Sequence, residues 1–234
     1  MLPLKILTQP NDSTCGPTSL HAVYDYYGHA VPLDKLIGEV EFLNGGGTLA
    51  VLLGVHALEN GFKASLYSYN LRIFDPSWHK LSMVQLSEKL QLQRKQRRGV
   101  KLREATDAYL EFIRKGGIIK FNDLTPKLIK DYLISKRPIL TGLSATYLYK
   151  SARESVDEKD LLYDNDISGD PTGHFVVLAG WDKAKRNVLV ADPFIENPIN
   201  GTNYYPVNIN RLINSILLGI ITYDANILII APKA

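Results

Sequence analysis

Apolar positions in the first part of the chain recur at helical spacing. Leu20, Val23, Tyr24 and Tyr27 fall on one stripe, Pro17 suits the first turn before them, and Gly28 follows as a stop. Residues 32–37 begin a second helix. After the loop Gly45-Gly46-Gly47, Thr48 is placed to cap a third helix carrying Leu49, Leu52, Leu53, Val55 and Leu58, which Asn60-Gly61 closes. Residues 62–69 then alternate like a strand. From 70 to 135 the chain is rich in Lys, Arg, Gln and Leu. Helical spacing returns at Leu81, Leu86 and Leu90, then at Leu102, Ala105, Tyr109, Phe112 and Ile113. A last helix starts at Thr125-Pro126 and runs through Leu128, Ile129, Tyr132 and Leu133. This stretch predicts a mostly helical lobe with its polar faces in solvent.

From Pro138 the pattern turns to β. Residues 139–143, 174–182, 187–193 and 227–231 read as strands, the second and third most simply as a hairpin, and together they predict an antiparallel sheet. Residues 216–221 form a short apolar segment expected to be a buried strand or helix. The polar stretch 150–170, with Glu154, Asp157, Glu158, Asp160, Asp164, Asp166 and Asp170, reads as the least ordered part of the chain. The expected class is α+β in one domain over 1–234. The N-terminal helix packs on a sheet built largely from residues 138–231, and residues 70–135 form a helical insertion covering or flanking a cleft. The alternation does not support a doubly wound parallel sheet.

Composition narrows the function classes. The chain is 45% hydrophobic and 22% charged, as in ordinary globular proteins, and 234 residues suffice to bury a full core. A net charge of +3 makes no case for nucleic acid. The basic run Arg94-Lys95-Gln96-Arg97-Arg98 lacks interleaved aromatics and is expected to solvate a helix end. No window approaches 18 uninterrupted apolar residues, so no membrane span is expected. A lone thiol and no export signal after Met1 point to a cytoplasmic protein.

The lone thiol is also the strongest chemical signal. Cys15 cannot form an internal disulfide, and it stands among the turn formers Asn11, Asp12, Ser13, Gly16 and Pro17 at the start of a helix. The positive end of the helix dipole stabilises a thiolate, which is the nucleophilic form. Gln9, six positions earlier on the loop leading in, carries an amide able to donate to an oxyanion beside the sulfur. His174 opens a strand after Gly173, and Asp192 ends the neighbouring strand 18 residues later, so a hairpin returns the carboxylate toward the imidazole. Taken singly, His174 reads as a satisfied polar residue and Asp192-Pro193 as a turn; their combination with Cys15 gives the pattern weight. Asp182, after Trp181, is a rival for the acid but reads as turn chemistry. His21, His29, His56 and His79 share no ligand spacing with Cys15 or a carboxylate, so a zinc site is not expected, and thiol-mediated acyl transfer needs neither a metal nor an organic cofactor. Gly142-Leu143-Ser144-Ala145 is no Gly-x-Ser-x-Gly elbow, which disfavours a serine hydrolase.

The set formed by Gln9, Cys15-Gly16, Gly173-His174-Phe175-Val176-Val177-Leu178 and Asp192-Pro193 resembles the bacteriocin-processing cysteine peptidases. Those are papain-like domains that cut leader peptides after a double glycine and are often fused to export transporters. Thr14 stands where that family usually has an aspartate, and residues 70–135 lengthen the chain beyond the usual domain. The resemblance implies a papain-like fold and a peptide or protein substrate. It implies Cys15 as nucleophile, His174 as base, Asp192 as its orienter and Gln9 as oxyanion donor. The implied reaction is hydrolysis of a peptide or amide bond through a thioester. A thiol acyltransferase of transglutaminase type and a catalytically silent peptide-binding module remain as alternatives.

Overall fold

The computed structural model describes residues 1–44, 46–158 and 161–233. Among them, seven strands form one sheet in the order β2-β1-β9-β3-β6-β7-β8. The strands are β1 (Phe62–Ser68), β2 (Ile118–Lys120), β3 (Ile139–Ser144), β6 (Gly173–Asp182), β7 (Asn187–Ala191), β8 (Tyr204–Asn208) and β9 (Asn226–Pro232). A separate hairpin pairs β4 (Glu154–Val156) with β5 (Leu162–Asp164). The central strands β9, β3 and β6 are buried along nearly their whole length. Helices cover both faces of them, which is why these segments read as continuous apolar runs and not as alternation.

On one face lie α1 (Cys15–Tyr26), packed on β6, and α3 (Ala50–Glu59), packed on β1 and β9. The other face is covered by α6 (Pro126–Ile134) and α8 (Ile209–Leu218), which contact each other and β3. The helices α2 (Leu33–Glu39), α4 (Met83–Gln96) and α5 (Val100–Arg114) build outward from α1 and α3, and α7 (Ala145–Tyr149) follows β3 directly. Local signals account for several boundaries. Gly28 adopts a left-handed φ of +75° behind α1, Ser82 and Gln85 form a capping box on α4, and Thr125 caps α6 through the Leu128 N–H.

Several expectations need correction. The sheet is built largely from the strands expected after Pro138, but it is not wholly antiparallel: β1 joins it beside β9, and β2 pairs parallel to β1 at its edge. β2 comes from the stretch 70–135, which is otherwise mostly helical as expected; three residues are too few to reveal themselves as a strand. β9 is an interior strand between β1 and β3. Thr48 does not cap α3. Its hydroxyl donates to the Glu41 carbonyl at 2.8 Å, and the helix starts from Leu49 without a side-chain cap. Residues 216–221 are the end of α8 and a 3₁₀ turn, with Leu217, Leu218 and Ile221 exposed. The acidic stretch holds the β4–β5 hairpin, closed by the pairing of Glu154 with Asp164. Gly45 and Asp160 lie outside the described residues.

One end of the sheet gathers the start of β6, the end of β3, the start of β9 and the end of β7. The buried Asp224 carboxyl wedges there between two backbones. A Cβ on Gly142 would lie 2.7 Å from its Oδ1, and one on Gly173 would lie 2.6 Å from its Oδ2. Gly142→Ala should therefore destabilise the fold by about 1–3 kcal/mol, the usual cost of overpacking. Gly38→Ala, in α2 with open space around it, should be neutral or stabilising by up to about 1 kcal/mol. Urea unfolding of both variants checks the pair; a fully stable Gly142→Ala protein would contradict the close approach.

Candidate active site

Cys15 is the first residue of α1 and is 8% exposed. The helix start lacks a side-chain cap, because Thr14 turns its hydroxyl back to the Asn11 carbonyl at 2.9 Å. Pro17 has no N–H and the Thr18 N–H donates to the Thr14 carbonyl, so the uncapped N–H groups of Cys15 and Gly16 are those left to act beside the sulfur. Gly16 lets this turn dock tightly: a Cβ there would sit 2.5 Å from Thr48 Cγ2. The Ser19 hydroxyl then donates to the Phe175 carbonyl at 3.2 Å, tying α1 to β6 one residue past His174.

His174 and Asp192 meet as the hairpin register requires. Val177 pairs with Ala191, so the next residue of the second strand returns toward the start of β6. His174 Nε2 lies 2.8 Å from Asp192 Oδ1. The Cys15 sulfur acts on the same ring by charge and hydrogen bonding, which leaves Nδ1 as the nitrogen for it. Burial works against the imidazolium, but the charges of Asp192 and Cys15 and their hydrogen bonds outweigh it and push the His174 pKa up to about 10. Asp192 is fully buried. Burial raises its pKa, yet His174 and the hydroxyls of Tyr205 and Tyr149 more than offset this and hold it below the ordinary carboxyl range.

The surroundings of Asp192 contain residues that sequence reasoning missed. Its Oδ1 also accepts the Phe194 N–H at 2.8 Å, and its Oδ2 accepts the hydroxyls of Tyr149, at 2.7 Å, and Tyr205. Burial and the Asp192 charge drive both phenol pKa values far up, so both remain donors. The rings of Tyr149 and Phe194 flank His174 at 6.2 and 6.4 Å between centroids and shield the His174–Asp192 bond from water. Asp224, behind Gly173, has its pKa pushed up to about 7 by burial, against a hydrogen bond from Thr222 and the charges of Lys101 and His174. Nothing in the local sequence around Tyr149, Tyr205 or Asp224 marks them.

The other expected residues divide. The Gln9 backbone N–H donates to the Pro193 carbonyl at 2.9 Å, lacing the loop before Cys15 to the residue after Asp192. Its side-chain amide donates to the Asn11 carbonyl at 3.0 Å. Asp182 accepts the N–H groups of Ala184 and Lys185 in the β6–β7 turn, at the far end of the sheet from His174. His56 takes a hydrogen bond with the Tyr24 hydroxyl in the core. Among the described residues, no group of three His, Cys, Asp or Glu side chains is placed to hold a metal ion, and no helix is long and apolar enough to cross a membrane.

The sequence matches no family model and no curated protein. Solved structures similar to the chain include three proteases or peptidase domains. One is a double glycine motif protease from an AMS/PCAT transporter, in complex with the leader peptide (14% identity, TM-score 0.45, covering 99% of this chain and 94% of that one). Another is the peptidase domain of Streptococcus ComA, a bifunctional ABC transporter involved in a quorum sensing pathway (13%, 0.45, 98% and 99%). The third is xylellain, a cysteine protease from Xylella fastidiosa (13%, 0.42, 100% and 85%). Likeness at this level carries no chemistry across; what the site can do follows from its own atoms.

The raised His174 pKa makes stability depend on pH. The folded chain holds this proton more tightly than the unfolded one. The contribution is therefore complete below the ordinary histidine value of 6.5 and is lost as pH climbs toward about 10. The difference in unfolding free energy between the wild type and His174→Gln should accordingly shrink from pH 6 to pH 10. Asp224, which gives up stability as pH rises from about 4 to 7 and also feels the His174 charge, does not cancel in this comparison, but it has titrated before the upper half of the range. Urea titrations at both pH values test this, and a constant difference would contradict the coupling.

Proposed function

We propose that this chain is a papain-like cysteine peptidase in which Cys15, His174 and Asp192 act as nucleophile, base and orienter. The observation that carries the reading is the ring of His174, held at Nε2 by a buried carboxylate 2.8 Å away while its other nitrogen serves a thiol at an uncapped helix start. A raised imidazole pKa next to that thiol favours a thiolate–imidazolium pair before substrate arrives.

In the first half-reaction Sγ attacks the carbonyl carbon, a C–S bond forms, and the carbonyl electrons move onto oxygen. The first-turn N–H groups of α1 stabilise that oxyanion. Gln9 joins them once its amide leaves the Asn11 carbonyl. His174 gives its proton to the leaving nitrogen as the C–N bond breaks, and a thioester remains on Cys15. Water then attacks the thioester, His174 takes its proton, and the C–S bond breaks to release the acid. Tyr149 and Tyr205 hold Asp192 ionised and fixed, and so act through it as positioning residues.

Cys15→Ala should abolish cleavage of a randomised peptide library while leaving the fold intact, and His174→Ala should cost on the order of 10³-fold or more. Gln9→Ala should lower kcat on the order of 10²-fold with little change in KM, since its contact exists only with the oxyanion. Asp192→Asn should cost less than the loss of Cys15, because it weakens the orientation and proton affinity of His174 and leaves the nucleophile in place. Undiminished cleavage by Cys15→Ala would remove the proposal; an unchanged kcat in Gln9→Ala would reassign the oxyanion donor.

A further inference from the structure

A cavity of about 290 Å³ opens directly beside His174. It sits between the loop leading into Cys15, the helix α7 and the β4–β5 hairpin, and its lining includes Tyr149, Phe194, Asp12, Glu154 and Asp164. From this geometry we propose that the cavity receives a basic side chain, lysine or arginine, from a residue close to the scissile bond. The proposal rests on the peptidase reading above and names the substrate class that the same site selects.

The cavity is defined by its place against His174; the groups lining it decide what fits. Its volume lies at the lower end of the roughly 300–1,000 Å³ typical of ligand pockets, which suits one long side chain and not a folded element. Three acidic residues line it, Asp12 from the loop before Cys15 and the paired Glu154 and Asp164 from the hairpin, and among the described residues no lysine or arginine does. None of the three is in an ion pair among the described residues. Glu154 Oε2 accepts the Thr172 hydroxyl at 2.9 Å, which keeps its carboxylate in place at the wall. Arg153, beside it in sequence, is turned away and donates to the carbonyls of Asp166 and Ile167. The positive charge on His174 is already countered by Asp192 and Cys15. An incoming cation therefore meets uncompensated negative charge, with the faces of Tyr149 and Phe194 available to it. An acidic side chain in the same place would face three like charges. The β4–β5 hairpin carries Glu154 and Asp164 as its first and last paired residues, so the acidic stretch contributes a wall of the site.

Mass-spectrometric profiling of a randomised peptide library, with the wild type and with Glu154→Gln/Asp164→Asn, tests the proposal. The wild type should favour lysine or arginine over norleucine near the cut by on the order of tenfold or more. The preference should weaken as salt rises and should largely vanish in the double variant. Glu154 and Asp164 are partly or fully exposed, and circular dichroism verifies that the double variant is folded; the wild-type profile decides independently of it. Cleavage with no preference for a basic residue, or with a preference for an acidic one, overturns this proposal and leaves the peptidase reading standing. Absence of both cleavage and any thioester on Cys15 overturns the peptidase reading, and this proposal with it.

Discussion

A carboxylate cut off from water must find donors for its lone pairs or give up its charge. Asp192 meets this demand with donors from four directions: the His174 ring, the Phe194 N–H, and the hydroxyls of Tyr149 and Tyr205. Its backbone is held as well, through both the N–H and the carbonyl, by Asn203. Satisfying one buried charge thus fixes β6, α7, β8 and the turn after β7 with respect to one another. The imidazole inherits its position and its raised proton affinity from that network. Losing a donor would leave part of the charge unpaired in the interior, a penalty of about 1–3 kcal/mol or more. The site is consequently tied to the stability of the sheet end that carries it.

The thiol side is built from backbone. Thr14 spends its hydroxyl on Asn11, so α1 begins uncapped, and Gly16 lets the first turn press against Thr48. These two choices put the sulfur at a helix end where the N–H groups of Cys15 and Gly16 carry no side-chain cap. They meet the carboxylate network through Ser19 on Phe175 and Gln9 on Pro193. Local stability is given up for an uncapped polar end beside the sulfur, as the proposed catalysis would require.

The parts of this arrangement that were legible in the sequence are those encoded locally. The α1 stripe, its closing glycine and the position of Cys15 follow from residues within a dozen positions of one another. His174 and Asp192 were legible because a single hairpin turn relates them, so register alone carries one to the other. Tyr149 lies 43 residues from Asp192, and Tyr205 reaches it from a different strand, so neither had a spacing to betray it. The acidic stretch has the charge density of a poorly ordered segment, which hides the pairing of β4 with β5 that brings Glu154 and Asp164 to the cavity lining. The parallel contact of β2 with β1 depends on residues some 50 positions apart and on a strand too short to show periodicity.

The central claim is that His174, held by Asp192, activates Cys15. Because Cys15 is the sole cysteine, alkylation by iodoacetamide can be followed as a single mass change on the intact protein. At neutral pH the wild type should react on the order of tenfold faster than His174→Ala, with Asp192→Asn between them. Equal rates in all three proteins would mean that the imidazole does nothing for the sulfur, and the account would be wrong at its root.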